Sequence, residues 1–168
     1  MHRLNVEIKA RLSNPDRVRS ILQERKADFK GIDHQIDTYF NVPKGRLKLR
    51  EGNIENALIH YQRSNQAGPK KSEVILYKSA PGSSLKSLLE AANGVLAIVN
   101  KQRGIYFIDN VKFHIDQVKQ LGSFVEIEAI DKDGTKSEQE LYEQCKYYIE
   151  LFEINEEDLI EVSYSDLL

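Results

Sequence analysis

The chain has 168 residues, enough for one domain with a sizeable core, and its 24 Lys and Arg against 26 Asp and Glu give a formal net charge of -2. That balance excludes the overall basic field of a bulk nucleic-acid binder, and a single cysteine, Cys145, excludes an intramolecular disulfide and a Cys-based zinc cluster. The N-terminus lacks the apolar run of a signal peptide and no stretch is long enough to cross a bilayer. The expectation is therefore one domain over residues 1–168, soluble and cytoplasmic, with no membrane partner and its oligomeric state open.

In chain order, Asn5-Val6-Glu7-Ile8-Lys9-Ala10-Arg11 alternates charged and apolar side chains with the period of a strand. Asn14 and Pro15 then open a helix whose apolar stripe, Val18, Ile21 and Leu22, runs to about Phe29. Strands follow at His34–Phe40, Arg46–Glu51 and Ala57–Arg63, the last two joined as a hairpin through Gly52–Asn56. Residues 64–72 read as a loop and Glu73–Ser79 as a strand; Leu85, Leu88, Leu89 and Ala92 repeat at helical spacing up to Gly94. Val95–Arg103 reads as a strand, and Gly104 begins a separate pair, Ile105–Ile108 and Val111–Val118, turned at Asp109-Asn110. Ser123–Asp131 is the last strand. Ser137 with Glu140 resembles a capping box opening a helix through Phe152, and Asn155 with Asp158 starts a final short helix.

The charged faces of these strands are sorted by sign. Glu7, Lys9 and Arg11 share one face of the first strand; Arg46, Lys48 and Arg50 share another, as do Lys101 and Arg103, while Glu126 and Glu128 share a late one. The wet side of an ordinary antiparallel sheet mixes neutral and charged polar residues instead. About eight antiparallel strands with interposed helices predict an α+β fold, a closed barrel or a deeply folded sheet, lined by the charged face, in which full closure also leaves no edge exposed. Charges enclosed in this way require partners, and a polyanion with a divalent cation supplies them: Arg and Lys hold phosphate oxygens, and paired carboxylates hold a hard metal ion.

Val6-Glu7-Ile8-Lys9, Asp37-Thr38-Tyr39-Phe40, Gly45-Arg46-Leu47-Lys48-Leu49-Arg50, Tyr61-Gln62-Arg63, Val99-Asn100-Lys101-Gln102-Arg103, His114-Ile115-Asp116 and Leu121–Glu128 occur in the order and spacing of CYTH domains. Over nearly its whole length the chain resembles these triphosphate tunnel metalloenzymes, among them class IV adenylate cyclases and thiamine triphosphatases. The resemblance implies that Glu7, Glu126 and Glu128 hold a divalent metal, magnesium or manganese. It implies that Lys9, Arg50 and Arg103 act in catalysis and that Lys48, Arg63, Lys78 and Lys101 join them in binding a triphosphate such as ATP. Asn5 stands where the family motif has its first Glu; with Arg11, Asp37, Arg46 and Asp116 it is an accessory candidate.

The motifs look most like the class IV cyclase branch, which turns ATP into cyclic AMP and pyrophosphate. Hydrolysis of thiamine triphosphate or inorganic triphosphate is the alternative reaction. A non-enzymatic polyphosphate- or nucleotide-binding module is a second class, because an amide at Asn5 lacks the charge of a carboxylate. A purely structural β protein is a third. Asp37 and Asp116 also fit simple pairing with interior Arg residues. His2, His34, His60 and His114 lack zinc-site spacing and are expected to take no part in catalysis; Tyr147 and Tyr148 read as packing residues and Cys145 as an inert thiol.

Overall fold

The computed structural model describes residues 2–168, with side chains from residue 3 onward. Eight strands, β1 (His2–Arg11), β2 (Asp28–Phe40), β3 (Arg46–Glu51), β4 (Asn56–Arg63), β5 (Lys70–Lys78), β6 (Val95–Ile108), β7 (Val111–Val118) and β8 (Gly122–Asp131), close in the order β1-β5-β4-β3-β2-β6-β7-β8. Every pairing is antiparallel, with β8 returning to β1 through Lys9 opposite Glu126 and Glu7 opposite Glu128. Helices α1 (Pro15–Glu24), α2 (Leu85–Asn93), α3 (Glu138–Leu151) and α4 (Tyr164–Leu167), with one 3-10 turn at Glu156–Asp158, complete the α+β fold expected from the strand pattern.

The outward apolar positions explain where the long helices lie. Val6, Ile8, Val125 and Ile127 leave the barrel wall on its outer side and pack with Leu141, Cys145 and Phe152 of the α3 region and with Val18 and Leu22 of α1. Leu49 and Phe40 do the same toward Leu89 of α2. The helix starts follow the expected capping chemistry. Asn14 Oδ1 accepts from the Arg17 amide at 3.3 Å ahead of Pro15, and Ser137 Oγ accepts from the Glu140 amide at 3.1 Å.

Several boundaries differ from those read in the sequence. Helix α1 stops at Glu24 because Lys26 turns left-handed at φ 57°, so Phe29 lies not in a helix but in β2, which begins at Asp28. The stretch read as a loop to residue 72 already pairs as β5 from Lys70, opposite Glu7. Gly104 interrupts nothing: β6 is continuous, and a Cβ there would stand 3.2 Å from the Tyr106 ring, so this glycine admits close packing instead of a turn. The last short helix is a single 3-10 turn, followed by the unexpected α4.

Phe113 is the centre of the outer core, fully buried, with the rings of Tyr148 and Phe152 at 4.7 and 5.7 Å. Phe113→Ala should therefore lower unfolding free energy by about 3–5 kcal/mol, read from urea denaturation, while leaving the tunnel residues on the opposite face of β7 in place.

Candidate tunnel site

Period two turns inner-face side chains of several strands toward one cavity of about 590 Å³. Glu7, Lys9, Arg50, Arg63, Arg103, Glu126 and Glu128 all line it, as the sign-sorted faces require. So do Asn5, Lys48 and Lys78, with Lys78 exposed at its rim. Among the described lining residues nine are Lys or Arg and four are Glu, so an otherwise weakly acidic chain encloses a cavity with a cationic excess. Low-dielectric walls focus such a field on an anion.

Pairing inside the wall fixes these charges. Asp37, with no exposed surface, accepts from Arg50 Nε and Nη2 at 2.9 Å each and from Lys101 Nζ at 2.6 Å, with Lys48 Nζ at 3.4 Å. Burial alone would raise its carboxyl, but Arg50, Lys101 and Lys48 outweigh that and hold it well below the ordinary range. Arg103 grips Asp116 in the same two-pronged way at 2.7 Å and lies 3.5 Å from Glu126. Burial pulls Lys9 down to about 8, against the pull of Glu126 at 3.4 Å. Glu7, bound to Arg63, is raised by burial and by Glu128 and Glu126 nearby.

The two ends of the barrel differ. At the end where β1 finishes, the C-terminal segment enters the wall: Tyr164 donates to Asp116 at 2.7 Å and lies under Lys9, whose Nζ is 3.7 Å from the ring centre. Ser163 meets Tyr61 and Arg63 at 2.7 Å, and Lys70 Nζ donates to the Glu161 carbonyl at 2.6 Å. The opposite end carries Ile54, Leu76, Pro81, Phe107 and Ile130 around the same cavity. There the β3–β4 loop is tied down by Asp33, whose carboxylate accepts from the Ile54 and Glu55 amides at 2.9 Å. That loop holds Glu55 against Lys112 and, at 3.6 Å, Arg50.

Not every sequence candidate reaches the cavity. Arg11 is exposed on the far side of Phe124, 5.1 Å from its ring, and Arg46 is held outside by Asp166 at 3.0 Å. Lys101 and Asp116 stand behind the lining, joined to Asp37 and Arg103. The structure adds residues that no motif marked: Asp33, Glu55, Lys70, Lys112, Ser163 and Tyr164. His34 and His60 lie on the outer face, and the side chain of His2 lies outside the described residues. His114 differs from the other histidines. Its Nδ1 is 3.0 Å from Glu126 Oε2, and burial and Arg103 lower its pKa against the raising effect of that hydrogen bond.

The donor set suits a divalent ion. One ligand atom each from His114, Glu126 and Glu128 lie within 4.8 Å of one another, and burial leaves Asn5 Oδ1, Glu128 Oε2 and His114 Nε2 without hydrogen-bond partners. Buried polar atoms ordinarily find a protein, water or ligand partner.

The sequence matches the family model of the CYTH domain over residues 3–164, and the chain belongs to that family. Membership puts it in the class of metal-dependent tunnel proteins that act on triphosphates. Among solved structures it resembles the PH1012 protein of Pyrococcus horikoshii, with 22% identity, 98% of this chain and 99% of that one covered, and a TM-score of 0.82. An adenylate cyclase candidate from Vibrio parahaemolyticus is 20% identical over 98% of this chain and 97% of its own, with a TM-score of 0.79. An adenylyl cyclase candidate from Hippeastrum, described with a dominant triphosphatase activity, is 10% identical over 96% and 91%, with a TM-score of 0.63. At these identities the likeness is one of fold. No curated protein matches the chain.

Asp37→Asn would leave Arg50, Lys101 and Lys48 without their shared counter-charge and should cost about 3–5 kcal/mol of stability. A carboxyl with a depressed folded pKa stabilises fully above its unfolded value of 3.8 and loses that contribution as pH falls below it. The stability gap between wild type and variant should thus be present near pH 5 and narrow as pH falls below 3.8, measured by denaturant titration across acid pH.

Proposed function

We propose that the tunnel binds a nucleoside triphosphate together with a divalent ion and converts it, as a class IV adenylate cyclase does, to a cyclic nucleotide and pyrophosphate. The observation that carries this reading is the cationic excess of a cavity that the C-terminal segment joins at one end and that has apolar side chains among its charged ones at the other. A triphosphate chain matches the cationic interior, and Ile54, Leu76, Pro81 and Phe107 offer a flat organic head group a surface that inorganic triphosphate would leave unused. The volume of about 590 Å³ falls in the usual range for a small-molecule site.

In this reading Glu7, Glu126 and Glu128 hold the ion, with magnesium or manganese the candidates, and the ion supplies charge neutralisation on the phosphate oxygens. Lys9, Arg50, Arg63 and Arg103 surround the rest of the chain, with Lys48 deeper and Lys78 at the rim; Lys101 acts on the substrate only through Asp37. When the ribose 3′-hydroxyl attacks the α-phosphorus it loses its proton to water, the bond to the bridging oxygen breaks and pyrophosphate leaves with the electron pair. Negative charge then grows on the leaving group. Guanidinium groups already fixed by Asp37 and Asp116 stabilise that charge without having to reorganise.

Hydrolysis is the second reading, favoured by the triphosphatase activity described for the Hippeastrum protein of the same fold. ATP, thiamine triphosphate and inorganic triphosphate incubated with each metal separate the two: cyclic AMP with pyrophosphate supports the cyclase, orthophosphate the hydrolase, and three unchanged substrates exclude both. Glu126→Gln and Lys9→Met should each reduce turnover by about a hundredfold or more, and Lys30→Ala, exposed and paired with Asp28, should leave it unchanged.

A further inference from the structure

Of the four glutamates among the described lining residues, Glu55 alone has no part in the mechanism above. It sits on the loop between β3 and β4, away from β1 and β8, which carry the other three. Its Oε2 accepts from Lys112 Nζ at 2.5 Å and its Oε1 lies 3.6 Å from Arg50 Nη1. One carboxylate thus spans a cation of β3 and a cation of β7, strands that β2 and β6 separate in the wall. Burial would raise this carboxyl, but Lys112, Arg50 and His114 outweigh it and hold the group well below the ordinary range. It is therefore charged.

The carboxylate is not free to swing aside. Asp33, with no exposed surface, accepts from the Ile54 and Glu55 amides at 2.9 Å and from Gln35 Nε2 at 2.8 Å, and the same Gln35 nitrogen donates to Glu55 Oε1 at 3.2 Å. Asn53 Oδ1 accepts from the His34 amide at 2.6 Å, and a Cβ on Gly52 would stand 2.6 Å from Asp33 Oδ1, so the loop is moulded onto β2. The Glu55 side chain nevertheless keeps 28% of its surface, and it lines the cavity. Its partner Lys112 lies 5.7 Å from the centre of the Phe107 ring, which places the pair at the end bearing apolar side chains. A phosphate could settle between Arg50 and Lys112 there only by displacing a carboxylate that already faces both.

We propose that Glu55 is a specificity-determining residue: it ends the phosphate-binding track of the tunnel and reserves the mouth for an uncharged organic head group, against inorganic polyphosphate. The inference rests on the triphosphate reading above and deepens it by assigning the selection to one side chain. A negative charge beside Glu55 is repelled through the low-dielectric cavity, whereas a nucleoside in the same place is not.

The test compares ATP with inorganic tetraphosphate, which carries a fourth phosphate where ATP has adenosine. Affinities are measured by calorimetry without metal ion, where no turnover intervenes, and again in magnesium. Glu55→Gln keeps the side-chain shape and should raise tetraphosphate affinity about tenfold while changing ATP affinity by about threefold or less. Lys112→Met breaks the same ion pair from its other end and should move the ratio the opposite way, against tetraphosphate. A contact that merely held the mouth together would be lost alike in both variants. An unchanged ratio in Glu55→Gln, or a shift of the same sign in both variants, overturns the proposal; continued ATP binding in that case leaves the triphosphate reading standing. If the wild type binds neither ligand in either condition, that reading fails and the proposal with it.

Discussion

A carboxylate with no exposed surface, Asp37, holds three cations at the middle of the barrel, and the rest of the site depends on that pairing. Closing an antiparallel sheet with its charged face inward removes many charges from water at once, which is tolerable only where each finds a partner. Asp37 and Asp116 supply those partners from behind the lining. By taking two nitrogens of Arg50 and two of Arg103, they fix both guanidiniums in position before any ligand arrives. The wall is internally paired, yet the space it encloses remains cationic. Fold and ligand preference thus have one physical origin.

The same pairing gives the tunnel a direction. Tyr164 reaches Asp116, and Ser163 reaches Arg63, so the C-terminal segment is part of the charged wall at one end. At the other end the β3–β4 loop is anchored by Asp33 and presents Glu55 beside an apolar rim. A ligand with a highly charged tail and an uncharged head fits that polarity.

Much of this was legible in the sequence because period-two alternation specifies which side chains share a face. Glu7, Lys9, Arg50, Arg63, Arg103, Glu126 and Glu128 converge as that alternation demands, and Val6, Ile8, Val125 and Ile127 turn outward to the helices. Boundaries were less legible, since a left-handed Lys26 leaves no compositional mark and Gly104 has the look of a turn while serving close packing. Asp33, Glu55 and Lys70 escaped notice because their partners are backbone groups or lie on strands distant in sequence. His114 was within reach: it is two residues from Asp116, hence on the inner face, but its neighbourhood with Glu126 appears only once β7 and β8 are paired in register.

The central claim is that the inner face of this barrel is a binding site for a triphosphate and its metal ion. Crystals soaked with manganese and tripolyphosphate test it most directly, through anomalous difference density for the metal and omit density for the phosphate chain. The account predicts a phosphate chain inside the barrel against Arg50 and Arg103, with a manganese peak at Glu126 and Glu128. Density confined to the outer surface, with the tunnel holding only solvent, would contradict it.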